Sequence, residues 1–280
     1  MPIHDQGYRR YAGSRAAVGR GWAVIAKNGM KTLIAKRVFV AMLLLAWIQF
    51  LYMAVRIYLA SNFAQAAPIV GVRAETFREF LDVQGIFVFF VTIYVGAGLI
   101  ANDRRANALQ VYLSKPLTRA EYVAGKLAIL FLFLTAVTWL PAVLLLLVQI
   151  MFAGSFTFLR DNIFLIPAIT LFSLVQVLLA SMTMLALSSM SKSSRFVGIM
   201  YAGLMFFTTA LFNAVRGITG RSSLAWLSPN AVLEQLGDVI FRLQPRYDLP
   251  APIALLVIVT LITASALILE RRVRGVEVVQ

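Results

Sequence analysis

Apolar and polar positions along this chain fall into long alternating blocks rather than short periodic ones. Val38 to Leu59, Gln84 to Ala101, Leu127 to Phe152, Ile163 to Leu187, Phe196 to Val215 and Ala251 to Leu269 are apolar runs near the roughly 20 residues a helix needs to cross a hydrocarbon core. Backbone at that depth must satisfy its own hydrogen bonds, so each run predicts a helix. The fold class is therefore an all-α, polytopic membrane protein with six spans, 38–59, 84–101, 127–152, 163–187, 196–215 and 251–269. They form a transmembrane domain over 38–269, between an N-terminal tail of 1–37 and a C-terminal tail of 270–280. Pro141 predicts a kink inside the third span, whereas Pro167 falls in the first turn of the fourth and is tolerated there. Gly96-Ala97-Gly98, at the end of the second, predicts close approach of another helix.

The polar blocks carry their own signals. Between spans two and three, helix formers run from Asn107 to Leu113, and Lys115-Pro116 ends them because the residue before proline is pushed out of the α region. Thr118 and Glu121 then have the spacing of a capping box, so a new helix starts at Arg119 and enters the third span. A short helix, a proline stop and a capped restart make a lever that passes force between a partner outside the bilayer and the spans. The same stretch also reads as a basic loop that fixes topology. Upstream, Val18, Trp22, Ile25, Gly29 and Leu33 recur every three or four residues among cations, the pattern of an amphipathic helix in the headgroup region with Trp22 as its anchor. Ser61 to Val83 reads as a mixed loop, and Ala153 to Asn162 as a tight turn. In the long segment from Arg216 to Pro250, Ser228-Pro229 opens a short helix whose stripe is Val232, Leu233, Leu236 and Ile240.

Composition agrees with the blocks: 60% of the 280 residues are hydrophobic, 14% are charged, and the mean hydropathy is +0.83. With no cysteine and a single histidine, His4 in the tail, disulfides, thiolate metal sites and histidine-based chemistry have almost nothing to be built from. The net charge of +14 is placed unevenly. With the N-terminus inside, the other face holds Arg56, Arg73, Arg78, Arg160, Arg216, Arg221, Arg242 and Arg246, and the remaining 18 of 26 Lys and Arg lie on the inner side. Both termini are thus expected in the cytoplasm, and the basic excess marks topology and anionic lipid rather than nucleic acid.

No phosphate-binding loop, zinc-protease helix or nucleophile elbow occurs, so the chain holds no nucleotide by itself. Among the polar groups within the predicted spans are Gln49, Thr92, Tyr94, Gln149, Gln176, Thr208, Thr209 and Asn213, with Arg56 near one end. The scarcity of carboxylates disfavours a proton-coupled carrier and an intramembrane hydrolase. Each of these groups reads first as an interhelical hydrogen bond.

The entry Trp22-Ala-Val-Ile-Ala-Lys27 with Leu33-Ile-Ala-Lys-Arg-Val-Phe39, and the connector from Asp103 to Arg119 followed by Tyr122-Val-Ala-Gly-Lys126, carry a family likeness. The whole chain resembles the permease subunit of type-two, or type V, ATP-binding-cassette exporters. The connector matches from Leu109 onward. It departs at Asp103 to Ala108, where that family often has glutamates and a Gly-Thr. The resemblance implies a homodimer or pseudo-symmetric pair of permeases in the bacterial cytoplasmic (inner) membrane, forming the translocation pathway and driven by separate cytoplasmic ATPase subunits that hold the ATP and magnesium. The permease would be non-catalytic and carry no cofactor. Arg104, Arg105, Leu109, Tyr112 and Leu113 would couple to the ATPase through the connector helix. The segment from Ser228 to Arg242 would form an outer gate, with Trp226, Ser228, Leu233 and Leu236 as its candidates. Substrate passing between the second and fifth spans would meet Thr92, Tyr94, Thr208 and Asn213. Two other classes stay open, an ion-coupled secondary transporter and a membrane scaffold or assembly protein.

Overall fold

The computed structural model describes residues 21–63, 71–108, 117–153 and 157–273. Six helices are long and apolar enough to cross a membrane, the make-up of a multi-pass membrane protein. They are α2 (Arg37–Asn62), α3 (Ala74–Arg105), α4 (Arg119–Ala153), α5 (Leu165–Met190), α6 (Ser194–Thr219) and α8 (Ala251–Arg272). Shorter helices among the described residues include α1 (Gly21–Ile34) before the first and α7 (Pro229–Ile240) before the last. We call the end holding Arg105 and Arg119 the connector end, and the end holding α7 the far end.

Helices α3, α4 and α5 form the enclosed centre, while α2, α6 and α8 turn most of their surface outward. Outward positions such as Leu44, Leu51, Phe196, Ile199, Phe207 and Leu256 are apolar and exposed, which costs nothing against lipid. Helices in such a solvent are held by close packing and buried hydrogen bonds. Gln84 donates to the Ala46 carbonyl at 3.1 Å, tying α3 to α2, and the Trp139 indole donates to Thr170 at 3.1 Å, tying α4 to α5.

Two spans are not regular. The kink expected from Pro141 falls one turn earlier, at Thr138, because proline removes the amide that would bond back to residue 137. In α3 the backbone widens to a π-helical stretch at Thr92–Gly96 and then loosens until the α-helix resumes at Ala101. Here a Cβ at Gly96 would collide with Met184 of α5, so the small residues do admit a neighbouring helix.

Three expectations need correction or completion. The loop expected up to Val83 is helical from Ala74, capped where the Arg73 amide donates to Thr76 Oγ1 at 3.1 Å. Phe77, Phe80, Leu81, Gln84 and Val88 continue one buried stripe, so the helix is set by packing before the hydropathy rises. Thr157–Asp161, inside the expected turn, is a short helix. Residues 109–116 of the connector, including Leu109, Tyr112, Leu113 and the Lys115-Pro116 stop, lie outside the described residues.

Helix α1 forms as expected, but its stripe is used on protein. It packs lengthwise on the start of α4: a Cβ at Gly21 would strike Leu117, one at Gly29 would strike Ile129, and one at Gly125 would strike Ile25 and the Trp22 carbonyl. Ala26 and Leu33 are buried, whereas Trp22 and Val24 are exposed. The chain has no cysteine of its own, so a pair of introduced thiols reports this contact directly. Gly29→Cys with Ile129→Cys should oxidise to a disulfide in membranes and lose maleimide labelling, since such bonds need Cβ atoms about 3.5–4.5 Å apart. Val24→Cys with Ile129→Cys should stay reduced. Free thiols in the first pair would mean that α1 lies away from α4.

Candidate functional site

At the connector end, the freed backbone of α3 is taken up by one side chain of α5. Ser188 Oγ donates to the Ala97 carbonyl at 2.9 Å and accepts from the Ile100 and Ala101 amides at 3.1 and 3.0 Å. A break inside an apolar bundle would otherwise leave those groups unpaired, at a cost of roughly 1–3 kcal/mol each. One turn on, Asp103 receives Lys126 Nζ at 2.7 Å and the Tyr122 hydroxyl at 2.7 Å, both from α4. Arg104 donates to the Ser189 carbonyl near the end of α5, where a cation also meets the negative end of the helix dipole. The expected capping box is present across the connector: Thr118 Oγ1 accepts from the Glu121 amide at 3.1 Å, and Glu121 accepts from the Thr118 amide at 2.9 Å. Both flanks of the connector are therefore fixed, one onto α4 and α5, the other as a capped helix start.

At the far end lies a buried ion network that the hydropathy blocks concealed. Arg78, only 1% exposed, pairs with Asp82 one turn away, sits 3.4 Å from Asp238 and donates to the Glu234 carbonyl at 3.1 Å. Its guanidinium lies 4.5 Å from the centre of the Phe172 ring and passes directly over Gly237, where any Cβ would collide with it. Arg246 closes the network with bonds to Asp82 at 2.5 Å and Asp238 at 3.1 Å. Burial pushes the Asp238 carboxyl up from its ordinary value, and Arg246 and Arg78 oppose that rise. Burial, then the hydrogen bond it donates to Glu234 at 2.6 Å, push the Tyr247 phenol up to about 12.

Beside this network opens a cavity of about 450 Å³ between α3, α5, α6 and α7. Its walls are aromatic and aliphatic, with Phe89, Phe172, Tyr201, Met205 and Phe206 prominent, and its polar end presents Asp82, Glu234, Gln176, Asn230 and Thr209.

The predicted residues are distributed unevenly around these features. Leu233 lines the cavity; Leu236 is buried beneath it in the packing of α7; Ser228 is the N-cap of α7 and bonds Thr209 of α6 at 3.0 Å; Trp226 is exposed on a 3-10 turn. Of the four pathway candidates none lines the cavity. Thr92 is wholly buried in the π-helical stretch, Tyr94 stacks on Phe39, Thr208 bonds the Leu204 carbonyl of its own helix, and Asn213 is exposed. Their neighbours Thr209, Gln176 and Tyr201 take that place. Among the coupling candidates, Arg105 is exposed while Arg104 is turned inward to Ser189. Arg78 and Asp82 lie in the first turns of α3, ahead of the apolar run that begins at Gln84.

No protein-family model matches the chain, and no curated protein matches it in sequence. Function must be read from the residues themselves.

The network yields a ranked pair of substitutions. Arg78→Met removes the buried cation from between Asp82 and Asp238, leaves both carboxylates to Arg246 alone, and should cost about 3 kcal/mol. Arg246→Met, at a side chain 41% exposed, should cost about 1 kcal/mol or less. Thermal unfolding of both variants in detergent checks the order, and equal shifts would mean that the buried guanidinium is not what the far end depends on.

Proposed function

We propose that this chain is the membrane-embedded, non-catalytic permease subunit of an ATP-driven exporter, working as a dimer with a separate cytoplasmic ATPase. The observation that carries the reading is the pair of fixed flanks around the connector. Asp103 on Lys126 and Tyr122, and Arg104 on Ser189, join α3 to α4 and α5 just where the polar connector leaves the bundle. A push on the connector would act on three helices at once, and two of them, α3 and α5, line the cavity. The π-helical stretch and the Ser188 bonds give α3 a place to bend between connector and cavity, since such stretches often sit at functional positions in helices. In this reading Leu109, Tyr112 and Leu113 reach the ATPase, Arg105 adds an exposed charge, and Arg104 positions the flank. Helix α7, tied to α6 through Ser228 and Thr209, closes the cavity on the outer side.

The carboxylates Asp82 and Glu234 on the cavity wall favour one second reading, an ion-coupled carrier. That reading requires gradient-driven uptake by the chain alone in proteoliposomes. The permease reading requires none.

Orientation is tested separately. Reporter fusions after Gln280 should score as cytoplasmic and fusions at Gly220 as extracytoplasmic, as the distribution of Lys and Arg demands. The reverse pattern would place the connector on the wrong side for an ATPase.

Coupling is tested with the chain purified from its native membranes. ATP hydrolysis should co-purify with the tagged wild type and be lost, or no longer respond to substrate, in Leu109→Ala with Tyr112→Ala. Truncating interface anchors commonly costs more than about 1 kcal/mol each, and aromatic residues are prominent among them. Unchanged ATPase recovery and stimulation in the double variant would leave the connector as a loop that only fixes topology.

A further inference from the structure

The charged groups at the cavity wall are of one sign. Asp82 and Glu234 offer carboxylates, and Gln176, Thr209 and Asn230 add uncharged polar groups beside them. Asn230 has its amide donor committed to Thr209 at 3.1 Å. Neither arginine of the adjacent network lines the cavity. Arg78 is turned to Asp82, Asp238 and the Glu234 carbonyl, and Arg246 to Asp82 and Asp238.

The carboxylates also differ in how far they are neutralised. Asp82 is held by both arginines. Glu234 meets Arg246 only at 4.0 Å and otherwise accepts the uncharged Tyr247 hydroxyl, so its negative charge is the least compensated. The rest of the lining supplies the faces and edges of Phe89, Tyr201 and Phe206, with Phe89 5.8 Å from Tyr201 and 5.1 Å from Phe206 between ring centres. Clustered rings beside carboxylates with no cation on the lining attract a cation with apolar substituents and repel an anion. The volume of about 450 Å³ falls in the range of sites for drug-sized ligands, roughly 300–1,000 Å³. Ile86, Phe90 and Phe206 are exposed at its rim, on the outward surface of the bundle. A lipid-dissolved molecule therefore meets the cavity without first entering water.

We propose that this cavity is a binding site for lipophilic cations, with Glu234 facing the charge and Phe89, Tyr201 and Phe206 packing on the apolar substituents. The site stands under either functional reading. That the bound cation is cargo rests on the permease reading.

The probe is tetraphenylphosphonium, set against tetraphenylborate, an ion of nearly the same shape and opposite charge. Separate calorimetric titrations of the detergent-purified chain should give saturable binding for the phosphonium and none for the borate. Glu234→Gln keeps the Tyr247 bond but removes the charge, and should weaken phosphonium binding about tenfold. Phe206→Ala, at the exposed rim where packing is spared, should weaken it about threefold. Equal binding of the two ions, or phosphonium binding unchanged in both variants, would overturn the site. Where binding holds but phosphonium fails to stimulate the co-purifying ATP hydrolysis, the site stands and the permease reading falls.

Discussion

A helix broken inside an apolar bundle must have its freed carbonyls and amides satisfied by something, and in this chain that something is Ser188. Its single oxygen bonds the carbonyl of Ala97 and the amides of Ile100 and Ala101. The widened backbone of α3 therefore persists without exposing unpaired groups to hydrocarbon. Much of the connector end follows from this. Because α3 resumes at Ala101 in a fixed orientation, Asp103 is turned to Lys126 and Tyr122 of α4, and Arg104 to Ser189 of α5. Without the serine, the last turn of α3 has no defined direction and those contacts no reason to form.

The far end is governed by the opposite problem, a charge that has already been removed from water. Arg78 has no exposed surface to speak of, so its position is acceptable only while acceptors surround it. Asp82, Asp238 and the Glu234 carbonyl come from two different helices, α3 and α7, and together they dictate where α7 must sit. Gly237 lets the two helices close over the guanidinium. Gln235 holds the chain beyond α7 through bonds to the Leu249 carbonyl at 2.7 Å and from the Tyr247 amide at 3.0 Å. An ion network of this kind contributes less to net stability than to uniqueness, because the alternatives leave a buried charge alone.

What the sequence made legible divides along the same line. Hydropathy finds all six long helices because length and apolarity are local properties of the chain, and the capping box at Thr118 and Glu121 is likewise local. The stripe of α1 is also readable, though not its target, since a row of small and apolar residues fits either headgroups or a facing helix. The Gly21, Gly29 and Gly125 contacts were the distinguishing signal, and their register needs three dimensions. Asp82 and Arg78 were missed because a hydropathy window treats any charge as the edge of a membrane segment. The i, i+4 spacing of Arg78 and Asp82, set among Phe77, Phe80, Leu81 and Gln84, already had the helical period. The pathway candidates Thr92 and Thr208 missed the cavity although their neighbours line it, because hydropathy says nothing of which helix face meets which partner.

The two ends together hold the cavity between two clamps. Three charged or capped contacts grip the helices where the connector leaves, and a network of five ionisable side chains grips them at the far end. Between these clamps α3 has a π-helical stretch in place of a regular helix, and α4 is interrupted at Thr138. Backbone of that kind bends at lower cost than a continuous α-helix does, while packed ends resist deformation and move as bodies. Displacement at the connector end is therefore absorbed in the middle of α3 rather than at its ends. The segment from Gly85 to Phe90, between that bend and the ion network, forms one cavity wall. A small rotation there would change the distance from Phe89 to Tyr201 and Phe206 on α6.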